Sequence, residues 1–240
     1  MQHQYEILTW DSDFFGFPVA NILADTLSYS EFDELCKDFA KQGITLAYWK
    51  TNHEIQLTDS ITYSIGLVDK PCIFQKQLNP LSTELSFKEG IFLYSDIHVS
   101  KKLYEIAIQC GAFSRFQNDS CIPKEKFEAL YRIWIEKSVG KQNADEIICY
   151  SYNNEIAGIV TISIINEIGI IVLFGVDIFS RGKGIGTILL EAVKTYCMQH
   201  NCNSIQVVTQ QDNKPACKVY EKSGFEMIDR KYCYHIWKKK

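Results

Sequence analysis

The sequence predicts a mixed α/β (α+β) fold: a mostly antiparallel central sheet flanked by helices, preceded by a smaller N-terminal α/β domain. Three observations carry this. Residues 146–176 hold three β-rich segments separated by short asparagine-containing turns. A glycine-rich stretch, Arg181 to Thr187, then opens a segment of helical period. Beyond it, strand, short-helix and strand patterns come in order to Trp237.

Taken from the N-terminus, Tyr5–Trp10 and Phe17–Leu23 read as two strands around Asp11-Ser12-Asp13-Phe14-Phe15-Gly16, and Ser30 opens a helix through Lys41. Ile44–Trp49 reads as a strand, followed by a polar helix, Gly66, and a strand from Cys72 to Leu78. Asn79-Pro80-Leu81-Ser82-Thr83-Glu84 is the best linker, dividing an N-terminal domain (1–85) from a C-terminal one (90–240). Glu146–Tyr152 is a strand, Asn153-Asn154 suits a tight hairpin turn, and Ile156–Ile165 returns. Asn166-Glu167 then turns into a strand ending at Val176. Ile185, Ile188, Leu189, Ala192, Val193 and Tyr196 recur at helical spacing and give one buried face. After the Ser204–Thr209 strand, Pro215–Lys222 forms a short helix with proline in its first turn and Gly224 just past its end. Phe225–Trp237 supplies one or two further strands. Strand–Asn52–helix–Gly66–strand echoes strand–Asn213–helix–Gly224–strand, as a truncated copy of one half-fold would.

Arg181-Gly182-Lys183-Gly184-Ile185-Gly186-Thr187 carries the chemistry. Glycines let main-chain N–H groups face outward without a Cβ in the way. A helix start adds unpaired donors and the positive end of its dipole, which together seat a phosphate or pyrophosphate. Spacing then separates the motifs that use such loops. A Walker loop needs four residues between its first glycine and Gly-Lys-Ser/Thr, which no register here supplies. The dinucleotide fingerprint is G-x-G-x-x-G with an acid about 20 residues on; here the glycines fall as G-x-G-x-G, and the next strand ends without an acid.

What fits is Arg/Gln-x-x-Gly-x-Gly, the coenzyme A pyrophosphate loop, with Arg181, Gly184 and Gly186 in the defining places. Over residues 94–238 the chain resembles the GNAT superfamily of acetyl-CoA-dependent N-acetyltransferases, whose order of elements it repeats. That resemblance implies the GNAT fold and acetyl-CoA as co-substrate. It implies contacts to the cofactor from Val176, Arg181, Gly182, Lys183, Gly184, Ile185, Gly186, Thr187 and Asn213. In Asn213…Tyr220-Glu221-Lys222-Ser223-Gly224-Phe225 it implies that Tyr220 is the general acid that protonates the departing sulfur. A phenol of pKa ~10 giving its proton to a thiolate near ~8.5 is uphill by ~2 kcal/mol, so transfer has to be concerted with departure. The resemblance further implies direct attack by a neutral amine, without an acyl-enzyme.

Leu8-Thr9-Trp10-Asp11…Phe14-Phe15-Gly16, Ala112–Phe116, Phe127…Tyr131…Trp134-Ile135-Glu136 and Val208-Thr209-Gln210…Asn213 look like segments of the bacterial dTDP-fucosamine acetyltransferases. These acetylate the 4-amine of dTDP-4-amino-4,6-dideoxygalactose for surface polysaccharide biosynthesis. This closer resemblance implies a nucleotide-sugar acceptor, a base at Asp69 after Leu67-Val68, acceptor contacts from Ser114 and Arg115, and a homodimer. Asp69 before Lys70-Pro71 equally suits a turn. Other acceptors stay open: a protein N-terminus, a polyamine or an antibiotic. So does a non-catalytic acyl-CoA-binding sensor.

Composition bounds the remaining classes. With 240 residues, 46% hydrophobic and 22% charged, the chain can bury a sizeable core. A net charge of −4 argues against a nucleic-acid partner. No apolar run reaches the ~18 residues of a membrane span. Nine cysteines without Cys-x-x-Cys pairs or metal spacing fit buried reduced thiols in a cytoplasmic protein with no metal.

Overall fold

The computed structural model describes residues 4–79 and 86–239, so the expected linker lies outside the described residues beyond Asn79. The chain divides into two compact units. One comprises Met1–Pro71, Asn118–Ser120 and Arg230–Lys240; the other comprises Cys72–Gln117 and Cys121–Asp229.

In the first unit, β1 (Tyr5–Ile7) leads into α1 (Thr9–Phe15), β2 (Val19–Ile22), α2 (Tyr29–Gln42), β3 (Leu46–Thr51) and β4 (Tyr63–Asp69). Thr9–Phe15 is a helix where the sequence pattern suggests the end of a strand and a loop. Its causes are local. The Ser12 hydroxyl bonds back to the Leu8 carbonyl at 2.7 Å, Trp10 stacks on Phe14 one turn on at 5.2 Å, and Gly16 closes the helix at φ 84°. For α2 the cap is Ser28, two residues before the expected start. A capping box forms, with Glu31 N donating to Ser28 Oγ and Ser28 N donating to Glu31 Oε2. The polar helix expected after Asn52 is absent. There, Asn52 gives both its amide and its side-chain N–H to Asp25 Oδ1 at 2.8 Å, and Thr51 Oγ1 bonds the His53 carbonyl. Such side-chain bonds to nearby backbone compete with a helix, so the echo of half-folds lacks its helix in this half.

The second unit holds β5 (Pro71–Gln77), β6 (Ile91–Leu93), α3 (Lys101–Cys110), α4 (Arg115–Asn118), α5 (Lys124–Val139), β7 (Glu146–Tyr152), β8 (Glu155–Ile165), β9 (Ile168–Val176), α6 (Ile185–Gln199), β10 (Ser204–Gln210), α7 (Lys214–Lys222) and β11 (Glu226–Arg230). The β7–β8–β9 meander is antiparallel, and both turns are of the primed kind. Asn153 and Asn154 sit at φ 52° and 63°, Asn166 and Glu167 at 50° and 62°. These left-handed values match the twist of the flanking strands.

Strand order differs from chain order in an informative way. One sheet runs β1-β2-β3-β12-β4, with β12 spanning Tyr232–Lys238, and the other runs β11-β5-β10-β9-β8-β7-β6. Each half of the chain therefore inserts its last strand into the other half's sheet: β5 between β10 and β11, β12 between β3 and β4. The expected division at 85–90 tracks the chain, whereas the compact units track these exchanged strands. The same exchange exposes a likeness the sequence pattern hid. In both halves a helix, α2 or α6, joins two parallel neighbours, β2 and β3 or β9 and β10.

Candidate functional site

The site begins with an irregularity in β9. Across the β8–β9 ladder Thr161 faces Leu173, but the next partner of Ile162 is Ile171, so Val172 is an extra residue on β9. A bulge of this kind bends its strand and re-aims the residues beyond it. The amide freed from the ladder is not wasted: Leu173 N donates to the fully buried Thr161 Oγ1 at 2.9 Å. On the other side, the parallel pairing of β9 with β10 runs from Ile168–Ser204 to Ile171–Val207 and stops there. Both strands continue, to Val176 and Gln210. They part at the bulge.

The glycine loop sits beyond this split. Ile178–Ser180 forms a single 3-10 turn, and Gly182 and Gly184 take φ 79° and 77°, which other residues avoid. Gly184 is the N-cap of α6, and its carbonyl accepts from Thr187 N and Ile188 N. The first N–H groups of α6 are left without intrahelical acceptors and carry the positive end of its dipole. A Cβ on Gly182 or Gly184 would meet nothing within 4 Å. The space in front of the loop is open.

A cavity of about 370 Å³ occupies that space. Of the residues expected to hold a cofactor, Val176, Arg181, Gly182, Gly184, Ile185, Gly186, Thr187 and Asn213 line it. Lys183 is outside the wall, its Nζ held 4.2 Å from the centroid of the Tyr152 ring. Arg181 Nε donates to the Val176 carbonyl at 3.1 Å, tying the loop to the end of β9. Asn213 caps α7, its Oδ1 accepting from Ala216 N at 3.3 Å. That cap explains why asparagine precedes Lys214-Pro215.

The sequence pattern assigns no elements between residues 94 and 145, and so misses one wall. Gln109, Cys110, Ala112 and Phe113, from the end of α3 and the segment after it, line the cavity. Gln109 latches the loop: its Oε1 accepts from Ile178 N at 2.9 Å and its Nε2 donates to Asp177 Oδ1 at 3.2 Å. Asp177 is buried and also meets Lys102 Nζ at 3.1 Å. Burial pulls its pKa up, but the bonds from Gln109 and Lys102 outweigh this and hold the carboxyl below its usual range. An acid directly after a strand that ends at a glycine loop was the available signal. Burial pushes the Cys110 thiol up to about 12, which disfavours its thiolate.

The remaining expected residues have plain positions. Tyr220 is 2% exposed and packs among Phe74, Phe174 and Phe225, with ring centroids 5.6–5.7 Å away. Its neighbour Val219 and its contact Phe174 line the cavity, and Tyr220 itself is not part of the wall. Burial raises its pKa far above the ordinary phenol value. Ser114 is buried and caps α4, its Oγ accepting from Gln117 N at 3.4 Å. The Arg115 guanidinium lies 4.6 Å from the Phe116 ring centroid. Asp69 ends β4 in the first unit, opposite Cys233, and one residue separates it from β5. Among the described residues no group of three His, Cys, Asp or Glu is placed to hold a metal ion. No helix among them is long and apolar enough to cross a membrane.

A sheet split beside a glycine loop that heads a helix defines the class, and comparison with known proteins gives the family. Residues 103–225, just over half of the chain, match the acetyltransferase (GNAT) family. The chain belongs to that family. Among individual proteins it is similar to the uncharacterised protein YxbD of Bacillus subtilis, with 33% identity over 93 residues. That match covers 38% of this chain and 57% of the relative's length. In fold it is similar to a solved GNAT-family acetyltransferase from Novosphingobium aromaticivorans (TM-score 0.58, 10% identity, 100% of this chain and 91% of that one). It is also similar to a tandem GNAT protein from the clavulanic acid biosynthesis pathway (TM-score 0.56, 13% identity, 92% of this chain and 75% of that one).

Proposed function

We propose that this protein is a cytoplasmic N-acetyltransferase that moves an acetyl group from acetyl-CoA to the amine of a dTDP-linked amino-deoxy sugar of the fucosamine kind. The observation that carries the donor half is the cavity at the β9–β10 split, closed at one end by glycine-loop amides. Among the described residues its wall carries one cation, Arg181, and no carboxylate, which suits an anionic donor. The acceptor half rests on the sequence islands around Trp10, Phe113, Trp134 and Gln210.

In this reading the first amides of α6 hold the pyrophosphate and the thioester arm enters the split between β9 and β10. The main chain of Val176, whose direction the bulge sets, meets the thioester carbonyl, and fixed N–H groups there stabilise the oxyanion of attack. The amine lone pair forms the new C–N bond, the C–S bond breaks, and the nitrogen sheds its extra proton to replace the one that sulfur takes as it leaves as a thiol. Tyr220 supplies that proton. Its burial makes it a weak acid, so delivery is concerted with departure. Asp69 takes the proton lost by the ammonium, through water, because a carboxylate near pKa ~4 is too weak to hold it outright. Ser114 and Arg115 meet the acceptor, an arginine fork suiting a diphosphate. The N-terminal unit is a GNAT-like half that lost its glycine loop; its parallel β2–α2–β3 unit supports this.

The test is release of free thiol from acetyl-CoA with dTDP-linked 3- and 4-amino-6-deoxy sugars, polyamines and peptides as acceptors. The reading predicts turnover with a nucleotide sugar and little with the rest. Turnover with polyamine or peptide alone overturns the acceptor; no turnover with any amine, alongside tight acetyl-CoA binding, favours a sensor.

A further inference from the structure

We infer that Cys110 sets the length of acyl chain the donor can carry, by closing the end of the cavity that lies across the sheet from the glycine loop. The inference rests on the donor reading above and not on the acceptor.

The bulge decides which side chains of β9 face which helix. Successive residues of a strand point to opposite faces, so residues an odd number apart normally face opposite ways. Gly169 faces α6: a Cβ there would come within 2.3 Å of Cys197 Sγ. Phe174, five residues on, faces α6 as well, its ring tip 3.4 Å from where a Cβ on Gly186 would stand. The extra residue at Val172 resets the alternation. Gly175 is thereby turned the other way, toward α3. A Cβ on it would fall 2.5 Å from Cys110 Sγ and 3.1 Å from Ile106 Cγ2. Without the bulge a bulky residue, Phe174 or Val176, would meet α3 in its place.

The cavity wall takes residues from both faces: Gly186 and Val219 on the side of α6 and α7, Cys110, Ala112 and Phe113 on the side of α3. It therefore passes through the sheet where β9 and β10 part. Its two ends differ in chemistry. The loop end offers amides and Arg181. The α3 end offers a thiol, a methyl group and an aromatic ring, because the side-chain amide of Gln109 is engaged by Asp177 and Ile178. Such a wall penalises a charged group and accepts hydrocarbon. A donor with its phosphates at the loop and its arm in the split brings its acyl group to this end.

Cys110 is where that end is tightest. Its Sγ donates to the Ile106 carbonyl at 3.2 Å, one turn back on α3, which fixes the side chain. The sulfur then fills the notch that Gly175 leaves. An acetyl methyl stops short of it, and each further methylene has to displace it, at the cost that overpacking carries.

Two variants probe the notch from its two sides. Cys110→Ala enlarges it, and Gly175→Ala fills it and pushes the sulfur into the cavity. Calorimetry reads the affinity of each for coenzyme A and for acetyl-, propionyl- and butyryl-CoA, every acyl value being divided by the value for coenzyme A itself. In the wild type this ratio should be highest for acetyl and fall with each added methylene. Cys110→Ala should raise the propionyl and butyryl ratios by about fourfold for each methylene admitted. Gly175→Ala should lower all three ratios, and adding Cys110→Ala to it should restore the acetyl one. A wild type that binds butyryl-CoA as well as acetyl-CoA overturns the inference, and so does a series of ratios that Cys110→Ala leaves unchanged. A wild type that binds no coenzyme A overturns the donor reading and this inference with it, whereas coenzyme A binding with no dependence on acyl length overturns the inference alone.

Discussion

Thr161→Val isolates what the β9 bulge contributes. The residue is fully buried, so valine preserves the shape of the side chain and deletes only the oxygen that accepts from Leu173 N. A buried amide left without a partner costs about 1–3 kcal/mol. In a domain of this size each kcal/mol lowers Tm by about 2–4 °C, so calorimetry should show a drop of about 2–12 °C. A second effect is specific to the site. The bulge at Val172 re-aims Phe174–Val176, and small misplacements of positioning groups weaken function by up to ~100-fold. Coenzyme A affinity should therefore fall by about tenfold, and amides of residues 172–176 should exchange faster than those of β7. A variant with wild-type melting, exchange and affinity would refute the claim that the hydroxyl pins the bulge.

The same geometry sets three further outcomes. Tyr220→Phe should cut turnover by about tenfold or more while leaving acetyl-CoA affinity nearly unchanged; equal turnover removes the general-acid role. Asp69→Asn should lower turnover severalfold without touching coenzyme A affinity, and unchanged turnover would mark Asp69 as a turn residue only. Asp177 has its carboxyl pKa held below the usual range, so its contribution is present above the unfolded value of ~3.9 and is lost as pH falls through the folded one. Asp177→Asn should accordingly be less stable than wild type at pH 7 in denaturant titrations, the gap closing as pH falls below the ordinary carboxylate range and through the lowered folded value; a gap that persists in acid would mean the bonds, rather than the charge, carry the effect.

The catalytic half was legible because its signals are local. Asn153-Asn154 and Asn166-Glu167 hold left-handed turns, Asn213 and Pro215 start α7, and the spacing of Gly184 and Gly186 fixes the loop. The N-terminal third was harder, since its patterns are short and ambiguous. Tyr5–Trp10 has strand-like composition, yet the Ser12–Leu8 bond and the Gly16 cap turn its second half into α1. Asn52 suggests a helix start, although its side chain is spent on Asp25. Strand exchange was beyond reach, because nothing in Cys72–Gln77 or Tyr232–Lys238 says which of two sheets will accept it. A latch made by long-range partners escaped for the same reason: Gln109 and Asp177 are 68 positions apart.

The most direct measurement is a calorimetric titration of coenzyme A into the wild type and into Gly184→Val, with adenine dinucleotide as competitor. Gly184 lies at φ 77° with open space where a Cβ would stand, so valine strains the turn and projects into the phosphate seat. The account predicts binding to the wild type at one site, no displacement by the dinucleotide, and loss of binding in a variant that circular dichroism still finds folded. A wild type that ignores coenzyme A, or a variant that binds it as well as the wild type does, would contradict it.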